Sequence, residues 1–167
     1  MQAHSRHSNR LRIHRYALFA IFISSTAFAE DPQISPYAPE DKPVSGSFAA
    51  FNAAIAPYVA EAKRTFPIAK SKFEHGLSKG QSFFITTRLH DSSGAIEQVF
   101  IAVNKIEGGI VYGKIWSKIE LVDGYKLGGL YQFPESEMLD WLITHPDGSE
   151  EGNVVGKFLD SYGSNGR

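Results

Sequence analysis

Apolar residues recur at three- and four-residue spacings through Phe48, Phe51, Ile55, Tyr58, Val59, Ala62 and Phe66, the period of an amphipathic helix. Pro57 falls inside that pattern. Proline lacks an N–H and crowds the carbonyl four residues before it, so Pro57 predicts either a kink or the first turn of a second helix. Pro67 repeats the device and predicts a short helix through Glu74 that stops at Gly76. From Gln81 the period becomes two, with Phe83, Ile85, Thr87 and Leu89 on one face and Phe84, Thr86, Arg88 and His90 on the other, which predicts a strand.

Turn chemistry then recurs at short intervals. Asp91-Ser92-Ser93-Gly94 closes the first strand, a β-rich run spans Ala95 to Ile106, and Glu107-Gly108-Gly109 reverses the chain. Further strands are predicted at Ile110 to Trp116, Leu130 to Phe133, Met138 to Thr144 and, after Asp147-Gly148, Asn153 to Leu159. Short strands joined by tight turns make a meander with one face to bury. The expected fold is α+β: one or two N-terminal helices packed on a five- to six-stranded antiparallel meander or small half-barrel. Residues 46 to 160 read as one such domain, with Ser161 to Arg167 a frayed polar tail.

The N-terminus changes the picture of where this domain works. Arg6, Arg10, Arg12 and Arg15 precede an uncharged stretch from Tyr16 to Ala29 that is most apolar from Ala17 to Ile23 and closes on Ala27-Phe28-Ala29. That is the plan of a cleavable export signal over residues 1 to 29, cut between Ala29 and Glu30. The apolar run is shorter than the roughly 20 residues a spanning helix needs, so no integral membrane segment is expected after cleavage. Residues 30 to 45 hold four prolines and four acids without apolar period, the composition of a disordered linker. With no cysteine in the chain, neither a lipid-anchored cysteine nor a disulfide is available. The expected location is the bacterial periplasm or the medium.

Cleavage also removes charge. Losing those four arginines takes Lys plus Arg from 17 to 13 against 18 acids, a net charge of −5. A mildly acidic surface argues against nucleic acid, whose phosphates need clustered Lys and Arg.

The order and spacing of Tyr112-Gly113, Lys126-Leu127-Gly128, Phe133-Pro134, Asp140-Trp141 and Gly156 followed by Phe158 resemble the YegJ-like family of bacterial domains of unknown function (DUF2314). The resemblance covers most of the chain after the signal, and the segment from Ala53 to Phe73 fits its start more loosely. The chain departs from the family's pattern at Gly129, Lys157 and Leu159. The resemblance implies a small free-standing domain, sometimes exported, without a shared catalytic set.

Chemistry-bearing motifs are sparse. Gly108, Gly113 and Lys114 stand at phosphate-loop spacing, but Ile115 occupies the Ser or Thr position and a β-patterned run replaces the required helix. A hairpin turn and a close backbone approach explain those glycines better. His75, His90 and His145 lie in separate segments without ligand spacing, so no metal is expected. There is no nucleophile elbow, and the acid pairs Glu135/Glu137 and Glu150/Glu151 sit in polar turns. No enzyme activity and no cofactor are predicted.

Asp140-Trp141 is the most specific pair. Strand alternation sends the two side chains to opposite faces. Either Trp141 anchors the core while Asp140 accepts hydrogen bonds from a neighbouring loop, or Asp140 lies exposed beside Trp116 or Tyr131 in a recognition patch. Trp116, Tyr131, Asp140 and Trp141 are therefore the candidate binding residues. The expected function is a non-enzymatic periplasmic protein-binding module, inhibitor- or immunity-like, docking through a sheet face or strand edge. The alternative is a cell-wall or small-ligand binder or a weak hydrolase, with Trp116, Asp140 and His90 or His145 lining one pocket. Sequence does not set the oligomeric state.

Overall fold

The structure is a computed structural model that describes Pro39 and residues 48–164, with only the backbone for 162–164. The expected signal and its Ala29/Glu30 cut, nearly all of the linker, and residues 165–167 of the expected tail lie outside the described residues. The fold is α+β: a helix α1 (Phe48–His75), strands β1 (Ser82–His90), β2 (Ile96–Glu107), β3 (Ile110–Ile115), β4 (Leu130–Pro134), β5 (Asp140–Thr144) and β6 (Glu150–Gly152), and a helix α2 (Val154–Ser164). The six strands form one sheet in the order β4-β3-β2-β1-β5-β6, every neighbouring pair antiparallel.

Two expectations about helices are corrected. Neither Pro57 nor Pro67 starts a new helix, because α1 runs through both as a single element of 28 residues. Each interior proline costs a helix about 3 kcal/mol. Packing offsets that cost: Ala62, Phe66 and Ala69 are buried in the main core, and Trp141 Nε1 donates to the Ala62 carbonyl in the turn before Pro67 at 3.1 Å. The predicted stop at Gly76 holds, with Gly76 at φ 95° just past His75. The second correction is the last predicted strand, Asn153 to Leu159. Nearly all of that segment, from Val154, and Ser161 to Ser164 of the expected tail form α2 instead. Two β-branched valines favour a strand locally, but Gly152 (φ 74°) and Asn153 (φ 56°) turn the chain, and a tertiary contact described below caps the helix.

The sheet also buries more than one face. Phe83, Ile85, Val99, Ile101, Trp141 and Ile143 join α1 in the main core, while Phe84, Ala102 and Leu142 form a second buried cluster on the opposite face, with Phe100 and Trp116 beside it. β1 sits between β2 and β5, which explains why both of its faces are covered.

The connection from β4 to β5 constrains the sheet's shape. Four strand spacings separate them, about 19 Å in a flat sheet, yet only Glu135 to Leu139 intervene, and Glu135–Glu137 form a 3-10 turn, which advances just about 2 Å per residue. The sheet must curl strongly for that link to close. Hydrogen bonds hold the link to both sides: Glu135 N donates to Gly109 O at 2.9 Å, Thr87 Oγ1 to Glu137 O at 3.2 Å and Leu139 N to Thr86 O at 2.8 Å. From above, Lys63 Nζ donates to Ser136 O at 2.8 Å and Lys70 pairs with Glu135 at 2.5 Å, two lysines a heptad apart on one helix face.

Gly113 is the position on β3 where a side chain has no room. A Cβ there would lie 2.3 Å from Ala102 O and 2.6 Å from Ile101 Cγ2, beside the register shift between Val103 and Lys105. Gly113→Ala should lower unfolding free energy by about 1–3 kcal/mol through overpacking, measured by urea denaturation. A midpoint equal to that of the parent protein would contradict the close approach. Gly108→Ala, with open space around its Cβ, reads the backbone strain alone.

Candidate functional site

β5 places Asp140 and Trp141 on opposite faces, and both are internal. Trp141 lies in the main core, its indole Nε1 bonded to Ala62 O and Thr65 Oγ1, both at 3.1 Å. Gly152 lies against its ring, where a Cβ would meet Trp141 Cε3 at 2.7 Å. Asp140 is 1% exposed, so it does not belong to an exposed patch. It shares the face of Thr86, Phe84 and Leu142 and accepts hydrogen bonds at the start of α2, from Val155 N at 2.7 Å and Gly156 N at 3.4 Å, as well as from Trp141 N at 2.8 Å. The carboxylate thus does, from a distant strand, what a helix-capping side chain does locally.

Two opposing effects act on this carboxyl. Burial disfavours the charge, whereas the backbone N–H groups of Trp141, Val155, Gly156 and Val154 favour it; burial wins and pushes Asp140 up to about 6.

The other candidates do not converge on this pair. Trp116 packs against Phe84 on the second face, ring centroids 6.1 Å apart. Tyr131 is on β4, three strands from β1, edge-on to Tyr125 at 5.9 Å and stacked on Phe133 at 5.9 Å. Burial pushes its phenol up, with Tyr125 and Glu137 adding to the effect, so it remains a neutral hydrogen-bonding group. His145 sits at the β5–β6 turn with Nδ1 2.9 Å from Gln81 Nε2 and Nε2 3.2 Å from Glu151, which also pairs with Lys72. Among the described residues, no group of three or more His, Cys, Asp or Glu side chains could hold a metal ion.

Among the described residues, two open grooves are candidate binding surfaces, and neither is lined by Trp116, Asp140 or a histidine. The first, about 330 Å³, lies on the β3–β4 edge between Asn104, Tyr112, Gly113, Leu130, Tyr131 and Gln132. Of the residues singled out from sequence as candidate binding residues, Tyr131 alone lines it. β4 pairs with β3 and, among the described residues, has no strand on its other side. Ile115 N donates to Gly129 O, and Glu135 N to Gly109 O. With the register Gly113↔Tyr131, this turns the odd-numbered residues toward β3 and the backbone groups of Leu130 and Gln132 outward. Leu130 is 81% exposed and Leu127 57%.

The second groove, about 460 Å³, is lined by Asn52, Ile55, Ala56, Val59, Ala60 and Lys63 of α1 with Arg88 and Leu139. β1 outruns β5 here: pairing with β5 ends at Thr86↔Asp140, while pairing with β2 continues to His90↔Ile96. The first turns of α1 reach this free stretch. Sequence named Tyr131 and a strand edge without saying which edge, and missed the second groove. Pro134, at the end of a short strand, was the available sign of an edge, and Arg88 was the one cation in an otherwise apolar and hydroxyl-bearing run.

No protein-family model, curated protein or solved structure matches this chain.

The pH behaviour of Asp140 is testable. Its folded-state value lies above the ordinary carboxyl value of 3.8, so the folded form holds the proton more tightly. Its contribution to stability is fully present below about pH 4 and is lost as pH rises through about 6; a rise from 3.8 to about 6 corresponds to roughly 3 kcal/mol. Asp91, held down to about 2 by Ser93, Asp123 and Ala95, acts oppositely and only below its ordinary value. Urea midpoints of the parent protein and Asp140→Asn, compared from pH 4 to 7, should show a decline in the parent that the variant lacks. Parallel curves would contradict the assignment.

Proposed function

We propose that this protein is an exported, non-enzymatic binding module that takes up an extended segment of a partner protein along the open edge of β4. The observation that carries the reading is the outward-facing backbone of Leu130 and Gln132 beside the exposed side chains of Leu130 and Leu127. A sheet edge of this kind supplies main-chain hydrogen bonds to an added strand, and adjacent side-chain pockets give that strand its sequence preference. The 330 Å³ groove at Tyr112, Gly113 and Tyr131 is such a pocket. Open apolar edges invite aggregation unless they are covered in use. Pro134 blocks one end, since it has no N–H to offer. The arginine-rich start and Ala27-Phe28-Ala29 support export. We infer kinship with the YegJ-like family from the spacing of Phe133-Pro134 and Asp140-Trp141 alone, and it adds no activity to this reading.

Gln132→Pro removes an outward N–H without removing a bond to β3, so it should leave thermal unfolding within a few degrees of the parent while abolishing strand addition. A photo-cross-linking residue at Leu130, in the full-length protein expressed in its own cells, should capture one saturable protein partner. The same residue placed at Glu74 on α1 should not, and Gln132→Pro should abolish capture. Equal capture at both positions, or capture untouched by Gln132→Pro, would count against edge docking. Export has its own readout: protein isolated from the cell envelope or medium should begin at Glu30. A cytoplasmic protein that retains Met1 would overturn it.

A further inference from the structure

The second groove has a charge imbalance that the fold does not explain. Among the described residues, Arg64, Lys70, Lys72, Lys105 and Lys118 each pair with an acid. Arg88 and Lys63, both lining this groove, do not; the exposed Lys79, Lys126 and Lys157 share this, but of these cations Arg88 is the half-buried one. Lys63 donates to the Ser136 carbonyl, which leaves its charge uncompensated. Arg88 is half-buried at the groove's inner end, where its Nη2 donates to the neutral Asn52 amide oxygen and its guanidinium lies 5.0 Å from the centroid of the Phe48 ring. A guanidinium has five N–H donors in a planar fork. One side-chain amide uses only part of that capacity. Burial alone pulls the Arg88 value down, with no acid acting against it.

The rest of the lining is hydrocarbon: Ile55, Ala56, Val59, Ala60 and Leu139. A buried or half-buried cation without an anion is costly, and a guanidinium fork matches a carboxylate in bidentate geometry. We propose that this groove binds a small amphipathic carboxylate, a free acid of the medium-chain fatty acid class, with its carboxylate on Arg88 and its hydrocarbon tail along Ile55, Val59 and Leu139. Lys63 at the rim adds a second positive charge. The groove's volume lies within the range of roughly 300–1,000 Å³ typical of small-molecule sites. The alanines at 56 and 60, one helical turn apart, keep it open on the side of α1. The site stands on different strands from the β4 edge, so its test is independent of the docking reading.

The experiment is an isothermal and NMR titration of the full chain with decanoate, below its micellar concentration, against 1-decanol and inorganic phosphate. Decanoate should bind at one site, with the largest shifts at Asn52, Ile55 and Arg88, while decanol and phosphate each bind at least tenfold more weakly. Arg88→Gln should weaken decanoate tenfold or more, the usual effect of losing a charged hydrogen-bonding partner. Ala56→Phe fills the groove without touching Arg88 and should also abolish binding, which keeps the test valid if Arg88→Gln does not fold. Equal affinity for decanol, or decanoate binding unchanged by both variants, would overturn the proposal. So would a concentration-dependent dimer that Ala56→Phe dissociates without any decanoate binding, which would assign the groove to a second copy of the chain.

Discussion

Two successive residues of the short strand β5 hold both helices. Trp141 points to one face of the sheet, where its indole N–H bonds to the Ala62 carbonyl and Thr65 hydroxyl of α1. Asp140 points to the other, where its carboxylate receives the first free N–H groups of α2. Strand alternation makes this double attachment possible within two residues. Removing a buried tryptophan of this kind typically costs about 3–5 kcal/mol. Loss of the carboxylate would leave buried N–H donors unpaired at about 1–3 kcal/mol each.

The chemistry of Asp140 shows which effect dominates in this interior. A helix N-terminus favours a negative charge by about 0.3–2 kcal/mol, and the N–H donors around the carboxylate add to that. The carboxyl is nevertheless raised to about 6, so desolvation outweighs the favourable dipoles. At neutral pH the charge is retained against its own burial. Its return is a satisfied helix start against the sheet. Tyr58 stacked on Phe158 at 4.2 Å then joins α2 to α1.

Curvature follows from chain economy. The five residues between β4 and β5, three of them in a 3-10 turn, are too short to cross a flat four-strand span, so the sheet curls, and Lys63 and Lys70 of α1 grip the link from above. The two exposed surfaces arise where strands end. β5 is so short that β1 runs past it, leaving a gap that the first turns of α1 reach and that holds Arg88. On the far side, β4 ends the sheet among the described residues, with the backbone groups of Leu130 and Gln132 turned outward.

The α+β class, the start of the helix, the first strands and their turns were legible because they depend on local signals: a 3.6-residue period in α1, a two-residue period in β1, and glycines at Gly76, Gly108 and Gly109 that adopt positive φ. The internal rather than exposed role of Asp140 and Trp141 was legible as one of two readings. What only the tertiary structure decided were features whose energy comes from distant partners. Trp141, 79 residues from Ala62, ties α1 to the sheet in the turn before Pro67, and Asp140, 15 residues before Val155, accepts from the first turn of a helix in a segment that reads as a strand. The two grooves belong to the same class, since a gap is a property of neighbouring elements ending at different lengths. Sequence by itself set the periods and the turns; the long-range hydrogen bonds of β5 decided which segments were helices, and the unequal lengths of the strands decided where the surface stayed open.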